Sequence, residues 1–374
     1  GVVIGTFTAR VIVFLTLLGV SSRALCEDPN IEGDADRLSV VGGEKIGLHI
    51  SANTGNVSVT IKRVGPENVQ VFEKAGIAVQ KHPTVPRASS DGCGWPAALT
   101  LEIPTDWASG YYEVKLSGRI DSGAGENVEA SETLFFVVRS ANPGKDSKIL
   151  LQLATNTYNA YTNWGGHSLY SYHDRDGLQG HRVSFDRPQQ SQFAKWEAPF
   201  VRWAESNGYK IDYAVNSDLE FHPEILKHYR LVLSVGHDEY WSSPMRDHLE
   251  KFVADGGNVA FLSGNTCCWQ FRSEDDGRAL TCWKQAYVLD PLFRTGDPKL
   301  LSTAWSHHLI GRPENELTGV GFLWGGYHRS HGQFMDGSGS FIVHRPDHWI
   351  FAGTDLKRGD RIGEKDTIVG YECD

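Results

Sequence analysis

A chain of 374 residues is long enough for two domains and too long for one small core. Its 40% hydrophobic and 22% charged residues are the proportions of a folded globular protein, which excludes a disordered or low-complexity chain. A formal net charge of −10, with no basic stripe, excludes nucleic acid as a partner, because a phosphate-binding surface needs clustered Lys and Arg.

At the start of the chain, Arg10 precedes an apolar run over 11–20, then Ser-Ser-Arg-Ala-Leu-Cys, then a polar stretch from Glu27. Basic, apolar and small residues in that order read as a secretory signal peptide over 1–26. A buried strand or an uncleaved anchor is the blander alternative. The run is shorter than the roughly 20 apolar residues that span a bilayer. The expectation is a secreted or periplasmic protein with no membrane span once the signal is removed. Arg-Ala-Leu-Cys is a poor lipidation site, so a lipid anchor at Cys26 is not expected. In an oxidising compartment, Cys267 or Cys268 is expected to pair with Cys282. No Cys-x-x-Cys occurs, which disfavours a zinc cluster.

Residues 27–142 read as a β-sandwich of immunoglobulin-like type. Short segments at 38–50, 57–64, 99–103, 111–116 and 132–138 are rich in β-branched and aromatic residues, with Gly, Pro, Asn and Asp between them. Ser140-Ala-Asn-Pro-Gly-Lys-Asp is a linker by composition. Residues 143–374 read as an α/β catalytic domain. Strands are predicted at 148–154, 209–215, 230–235 and 258–263, with helices at 192–208, 223–228 and 244–254 between them. That alternation predicts an open, mostly parallel sheet with helices on both faces, of glutamine-amidotransferase-like form. Past Leu301, strands are expected near 319–327 and 339–343, and 349–353 and 367–371 are expected to rejoin the main sheet.

Ligands of open parallel sheets bind beyond the carboxyl ends of the strands. Three turns there are unusually polar or aromatic: the stretch from Thr155 to Gly166, Gly236-His-Asp-Glu-Tyr-Trp, and Gly264-Asn-Thr-Cys-Cys-Trp. A strand, a glycine turn and a helix make a nucleophile elbow in many hydrolases. Here the tip carries His237, Asp238 and Glu239, which suit metal ligation or acid–base work. The blander reading is an acidic cap on the following helix. Tyr158 and Tyr161, each taken alone, read as packing residues.

The motifs Asn159-Ala-Tyr-Thr-Asn-Trp-Gly-Gly, Val235-Gly-His-Asp-Glu-Tyr-Trp-Ser, Gly256-Gly-Asn-Val-Ala-Phe-Leu-Ser-Gly-Asn and Val369-Gly-Tyr-Glu, in this order, resemble the large-subunit family of N,N-dimethylformamidase. The resemblance implies hydrolysis of an amide C–N bond and a mononuclear iron, expected as Fe(III), held by two tyrosines and a glutamate. By motif, Glu239 is the carboxylate ligand and Tyr161 one phenol, with Tyr158 as fallback. Tyr112 is the expected second phenol, with Tyr111 next. Glu372, Asn265, His237 and Lys284 take the catalytic positions: Glu372 for proton transfer, Asn265 or His237 for the oxyanion. Hard, anionic oxygen donors suit a hard, highly charged ion. The partners implied are a small-molecule amide and either a small subunit or a second copy of the chain.

Two other classes compete with this reading. A non-catalytic secreted binding protein of the same fold would have no reason to keep Glu239, Tyr161, Asn265 and Glu372 together. A cysteine hydrolase of the glutamine-amidotransferase type would need a Cys at the elbow, where none occurs.

Overall fold

The computed structural model describes residues 30–121, 127–171, 179–322 and 340–363. The expected signal peptide over 1–26, the strand expected at 367–371 and Glu372 lie outside them. The first half is built of β1 (Ile31–Ala35), β2 (Ser39–Val41), β3 (Lys45–Ala52), β4 (Asn56–Arg63), β5 (Val69–Ala78), β6 (Ala97–Glu102), β7 (Gly110–Asp121) and β8 (Asn127–Arg139), with the short helix α1 (Ala88–Asp91) before β6. They form one sheet in the order β1-β3-β6 and another in the order β2-β8-β7-β4-β5. Strand alternation explains the layering. In β4, Val57, Val59 and Ile61 are fully buried while Ser58, Thr60 and Lys62 face outward. From β7 and β8, Tyr112, Val114, Leu116, Leu134, Phe136 and Val138 enter the core between the two sheets. The alternate residues Tyr111, Phe135 and Val137 point the other way and stay buried.

They stay buried because the second half packs on that face. It comprises β9 (Ile149–Leu153), α2 (Thr155–Tyr161), β10 (Arg182–Ser184), α3 (Glu197–Ser206), β11 (Asp212–Val215), α4 (Asn216–Phe221), β12 (Leu231–His237), β13 (Tyr240–Ser242), α5 (Ser243–Ala254), β14 (Asn258–Gly264), β15 (Trp269–Glu274) and β16 (Ala279–Thr281). Tyr111, Phe135 and Val137 share one apolar cluster with Leu151, Leu153, Phe193, Val201, Tyr213, Leu233 and Val235. Tyr111 stacks on Phe193 at 3.8 Å between centroids. Polar contacts follow the same seam. Arg63 on β4 forks onto Glu205 of α3 at 2.8 and 3.1 Å, and Arg139 on β8 reaches Asp218 of α4 at 3.2 Å. A forked guanidinium–carboxylate pair fixes orientation as well as distance.

The expectation of an open, mostly parallel α/β sheet with helices on both faces is corrected here. The described residues are richer in β than in helix, at 36% strand against 22% helix. An all-parallel sheet is limited to the four short strands β11-β9-β12-β14, and the further parallel pairs, β2 with β8 and β13 with β15, sit in mixed sheets. One face of that sheet is covered by α4 and α5 through Leu150, Val232, Met245 and Leu249. The other is covered by α3 together with the β7–β8 face of the first half. Beyond β14, β15 and β16 join β10 and β13 in a mixed sheet, β10-β16-β15-β13, that the sequence had not suggested. The segment 349–353, expected to rejoin the main sheet, holds a single 3-10 turn, Trp349–Phe351. Among the described residues, no helix is long and apolar enough to cross a membrane.

Candidate functional site

The carboxyl ends of β9, β12 and β14 meet at one place. β12 turns at Gly236, whose φ is +90°. A Cβ there would lie 2.4 Å from the Cβ of Trp196, so glycine alone lets the strand pass. The next residues point to opposite sides of the turn. Asp238 goes inward and is fully buried. Its carboxylate accepts from the Ser234 hydroxyl (2.7 Å), from Asn216 Nδ2 (3.2 Å) and from Gln152 Nε2. Burial raises its pKa to about 6, held in check by those donors. Its carbonyl accepts from the Trp241 indole (3.0 Å) and the Cys267 amide (2.9 Å).

Glu239 takes the other side. Its amide donates to the Thr157 hydroxyl on α2 at 3.0 Å. Its Oε2 accepts from the Tyr170 hydroxyl at 2.7 Å, and its Oε1 accepts from Asn265 Nδ2, also at 2.7 Å. Neither Asp238 nor Glu239 caps the next helix. That role belongs to Ser242, whose Oγ accepts from the Met245 amide at 3.3 Å.

Around this carboxylate, Tyr161 lies with its ring 4.2 Å from that of Tyr170 and 5.6 Å from His237. The Tyr170 and Tyr161 side chains are hydrogen-bonded. Tyr240 donates to the Tyr170 hydroxyl at 2.8 Å. His237 Nε2 stands 3.7 Å from Glu239 Oε2. The buried Lys284 donates to the Leu169 carbonyl at 2.8 Å, and its ammonium lies 3.0 Å from the centre of the Tyr170 ring. Burial, then the charge of Glu239, holds the Tyr170 phenol well above its ordinary range, so it is a neutral donor in the protein as it stands. Asn265 (φ +55°), Cys267 (φ +56°) and Lys284 (φ +53°) all have left-handed backbones, a concentration of strain typical of working sites.

The structure thus groups Tyr161, His237, Glu239, Asn265 and Lys284. Tyr112 lies elsewhere, and its assignment as a ligand is corrected. It points into the sandwich core because strand neighbours alternate. It stacks between Trp107 and Phe136, and its hydroxyl donates to the Ala108 carbonyl at 2.6 Å. Burial raises that phenol to about 12. Tyr111 bonds the Ser191 hydroxyl at 2.9 Å in the seam between the two halves. Tyr158 donates to Glu197 beneath the site. Tyr170, which reasoning from the sequence missed, is the phenol on Glu239. The described cysteines Cys93, Cys267, Cys268 and Cys282 are all free and buried, so the expected pairing of Cys267 or Cys268 with Cys282 is also corrected. Burial raises the Cys282 thiol to about 12 and lifts Cys267 and Cys268 too, which leaves them poor nucleophiles.

Glu197 provides a pH handle. It is fully buried and accepts from Tyr158, and burial raises its carboxyl to about 7 from 4.5. The folded state therefore holds a proton that the unfolded chain has released between these values, and stability falls as pH rises through that window. Glu197→Gln is expected to flatten the loss, which reaches roughly 3 kcal/mol by pH 8 at 1.36 kcal/mol per unit. Chemical denaturation at pH 5 and pH 8 measures this. An unchanged slope in the variant would contradict the assignment.

Among the described residues, no three of His, Cys, Asp and Glu converge as a metal cluster. The oxygen donors that do converge are the two phenols, Tyr161 and Tyr170, and the Glu239 carboxylate. That set matches the chemistry of a hard trivalent ion.

Comparison with known proteins agrees with the motifs. The chain is 24% identical over 344 residues to the N,N-dimethylformamidase beta subunit of an Alcaligenes species, and 24% identical over 346 residues to that of Paracoccus aminophilus. Each alignment covers 76% of this chain and 42% of the relative, so the chain spans less than half the length of these proteins. Among solved structures, the Bacillus subtilis sporulation control protein Spo0M aligns over 32% of this chain and 53% of its own, at 13% identity and a TM-score of 0.20, too low to assign a fold. The family model described as N,N-dimethylformamidase beta subunit-like, C-terminal, matches residues 58–374. The chain belongs to that family.

Proposed function

We propose that this protein hydrolyses the C–N bond of a small amide at the Glu239 site with the help of a mononuclear iron. The observation that carries this reading is the Glu239 carboxylate, held between the Tyr170 hydroxyl and the Asn265 amide with Tyr161 alongside. Tyr161, Tyr170 and Glu239 would hold the ion. When bound, Fe(III) supplies Lewis acidity for the amide carbonyl and the attacking water.

The residues of the chain do the rest. Lys284 places positive charge on the face of Tyr170, which favours loss of the phenol proton. A carboxylate accepts and never donates, so the Asn265 amide must turn Nδ2 to Glu239. Its Oδ1 is then a buried acceptor that takes no hydrogen bond. Asn265 is therefore suited to accept from the attacking water and orient it, rather than to donate to an oxyanion. His237, beside the same carboxylate, is the donor for charge growing on the carbonyl oxygen. Glu372, outside the described residues, takes the proton-transfer role that the family resemblance gives it. The buried thiols leave the cysteine-hydrolase alternative without a nucleophile.

The test is iron analysis and a visible spectrum of the protein purified from iron-supplied cells, followed by assay of formamide, N-methylformamide and N,N-dimethylformamide. One iron per chain, a tyrosinate-to-iron band and release of amine are expected. Iron-free protein that stays colourless when Fe(III) is added would refute the reading.

A further inference from the structure

Arg187 is fully buried, and its guanidinium is wrapped by one stretch of backbone. Nη2 donates to the Thr162 carbonyl (2.9 Å), the Asn159 side-chain oxygen (3.1 Å) and the Asn159 carbonyl (3.3 Å). Nη1 donates to the Trp164 and His167 carbonyls, and Nε donates to the Ser184 carbonyl at 2.9 Å. All but one of these acceptors belong to residues 159–167. That segment starts beside Tyr161 and leads directly into Tyr170. Of the last carbonyls of α2 it takes that of Asn159, which the Thr162 amide shares at 3.1 Å.

We infer that Arg187 is a positioning residue that sets the distance and angle between the Tyr161 and Tyr170 phenols. The inference rests on the reading of these two as metal ligands, and it deepens that reading. The loop between them has two glycines, Gly165 (φ +85°) and Gly166 (φ +125°), and would otherwise have many conformations open to it. A planar guanidinium radiates five N–H groups in fixed directions and gathers carbonyls from one loop into one plane. A lysine ammonium has three donors on a single atom and cannot reach the same set. The segment also leads to the Leu169 carbonyl that receives Lys284, so the position of that ammonium depends on the same clamp.

The test uses full-length protein labelled with 3-fluorotyrosine and kept metal-free. Tyr161→Phe, Tyr170→Phe and Tyr112→Phe assign the fluorine resonances. In Arg187→Lys, the Tyr161 and Tyr170 resonances are expected to shift or broaden while that of Tyr112, in the sandwich core, stays put. Fe(III) affinity should fall by about 10- to 100-fold, the usual cost of losing a residue that orients a ligand, and the charge-transfer band should move. Asn159→Ala removes a single acceptor and should show a smaller change of the same kind, which covers the case in which Arg187→Lys does not fold. Unmoved Tyr161 and Tyr170 resonances in a folded variant overturn the inference. So does unimpaired iron binding in a variant whose wild type binds iron. A wild type that takes up no iron refutes the proposed function, and the fluorine spectra then decide the role of Arg187 by themselves.

Discussion

On the proposed function, Glu239→Gln should leave a folded protein with neither bound iron nor amidase activity. The substitution keeps the side chain's shape and removes one negative charge. Glu239 now accepts from two sides, from Tyr170 and from Asn265. A glutamine has one oxygen for these two donors, and its amide nitrogen must face one of them. The Tyr170 hydroxyl can rotate to become an acceptor, so the fold tolerates the change. A metal ion has no such option, because the only carboxylate in the donor set is gone. The expected loss in kcat is at least about 100-fold, the scale on which a single preorganised group acts on developing charge. Iron content, kcat and a thermal melt on the same preparation measure it. Stoichiometric iron in the variant would sink the assignment of Glu239.

A pair of phenylalanine substitutions separates the two tyrosine assignments. Tyr170→Phe removes the hydroxyl that meets Glu239, receives Tyr240 and bonds Tyr161. It should abolish or strongly shift the visible band and lower iron affinity by at least about tenfold. Tyr112→Phe removes one bond to the Ala108 carbonyl in the sandwich core. It should cost about 1 kcal/mol of stability and leave the spectrum unchanged. Absorbance and denaturant melts on both variants suffice. The opposite pattern would return Tyr112 to the metal and remove Tyr170.

Much of the site was readable because its residues sit where strand chemistry puts them. The short apolar runs that became β9, β12 and β14 marked three carboxyl ends, and Gly236 marked the turn. The family motif then singled out Glu239, Asn265 and Lys284 by position. Tyr170 was not readable, because it lies in an irregular loop with no periodicity. Its approach to Glu239 depends on the path of residues 162–169 around Arg187. Tyr112 was misplaced because sequence alone does not say which face of β7 meets the second half; the register puts Tyr111 there. The helix α2 was equally hidden. Its residues Thr155-Asn-Thr-Tyr-Asn-Ala-Tyr are mostly weak helix formers. Outside partners hold it, among them Asn216 Oδ1, which accepts from the Asn156 amide at 3.0 Å. The extra mixed sheet was hidden because β13, β15 and β16 are short, at three, six and three residues, too short to show a clear alternation.

The stacking of Tyr111 on Phe193, with Phe135 and Val137 buried against Leu151 and Val235, has a consequence for anyone wishing to dissect the molecule. Cutting at the linker near residue 142 would not release a self-sufficient second half. It would strip a sheet of apolar side chains and leave Glu205 and Asp218 without the arginines that neutralise them. The amino-terminal half is in effect one wall of the second half's interior, and the two halves should melt in a single cooperative step.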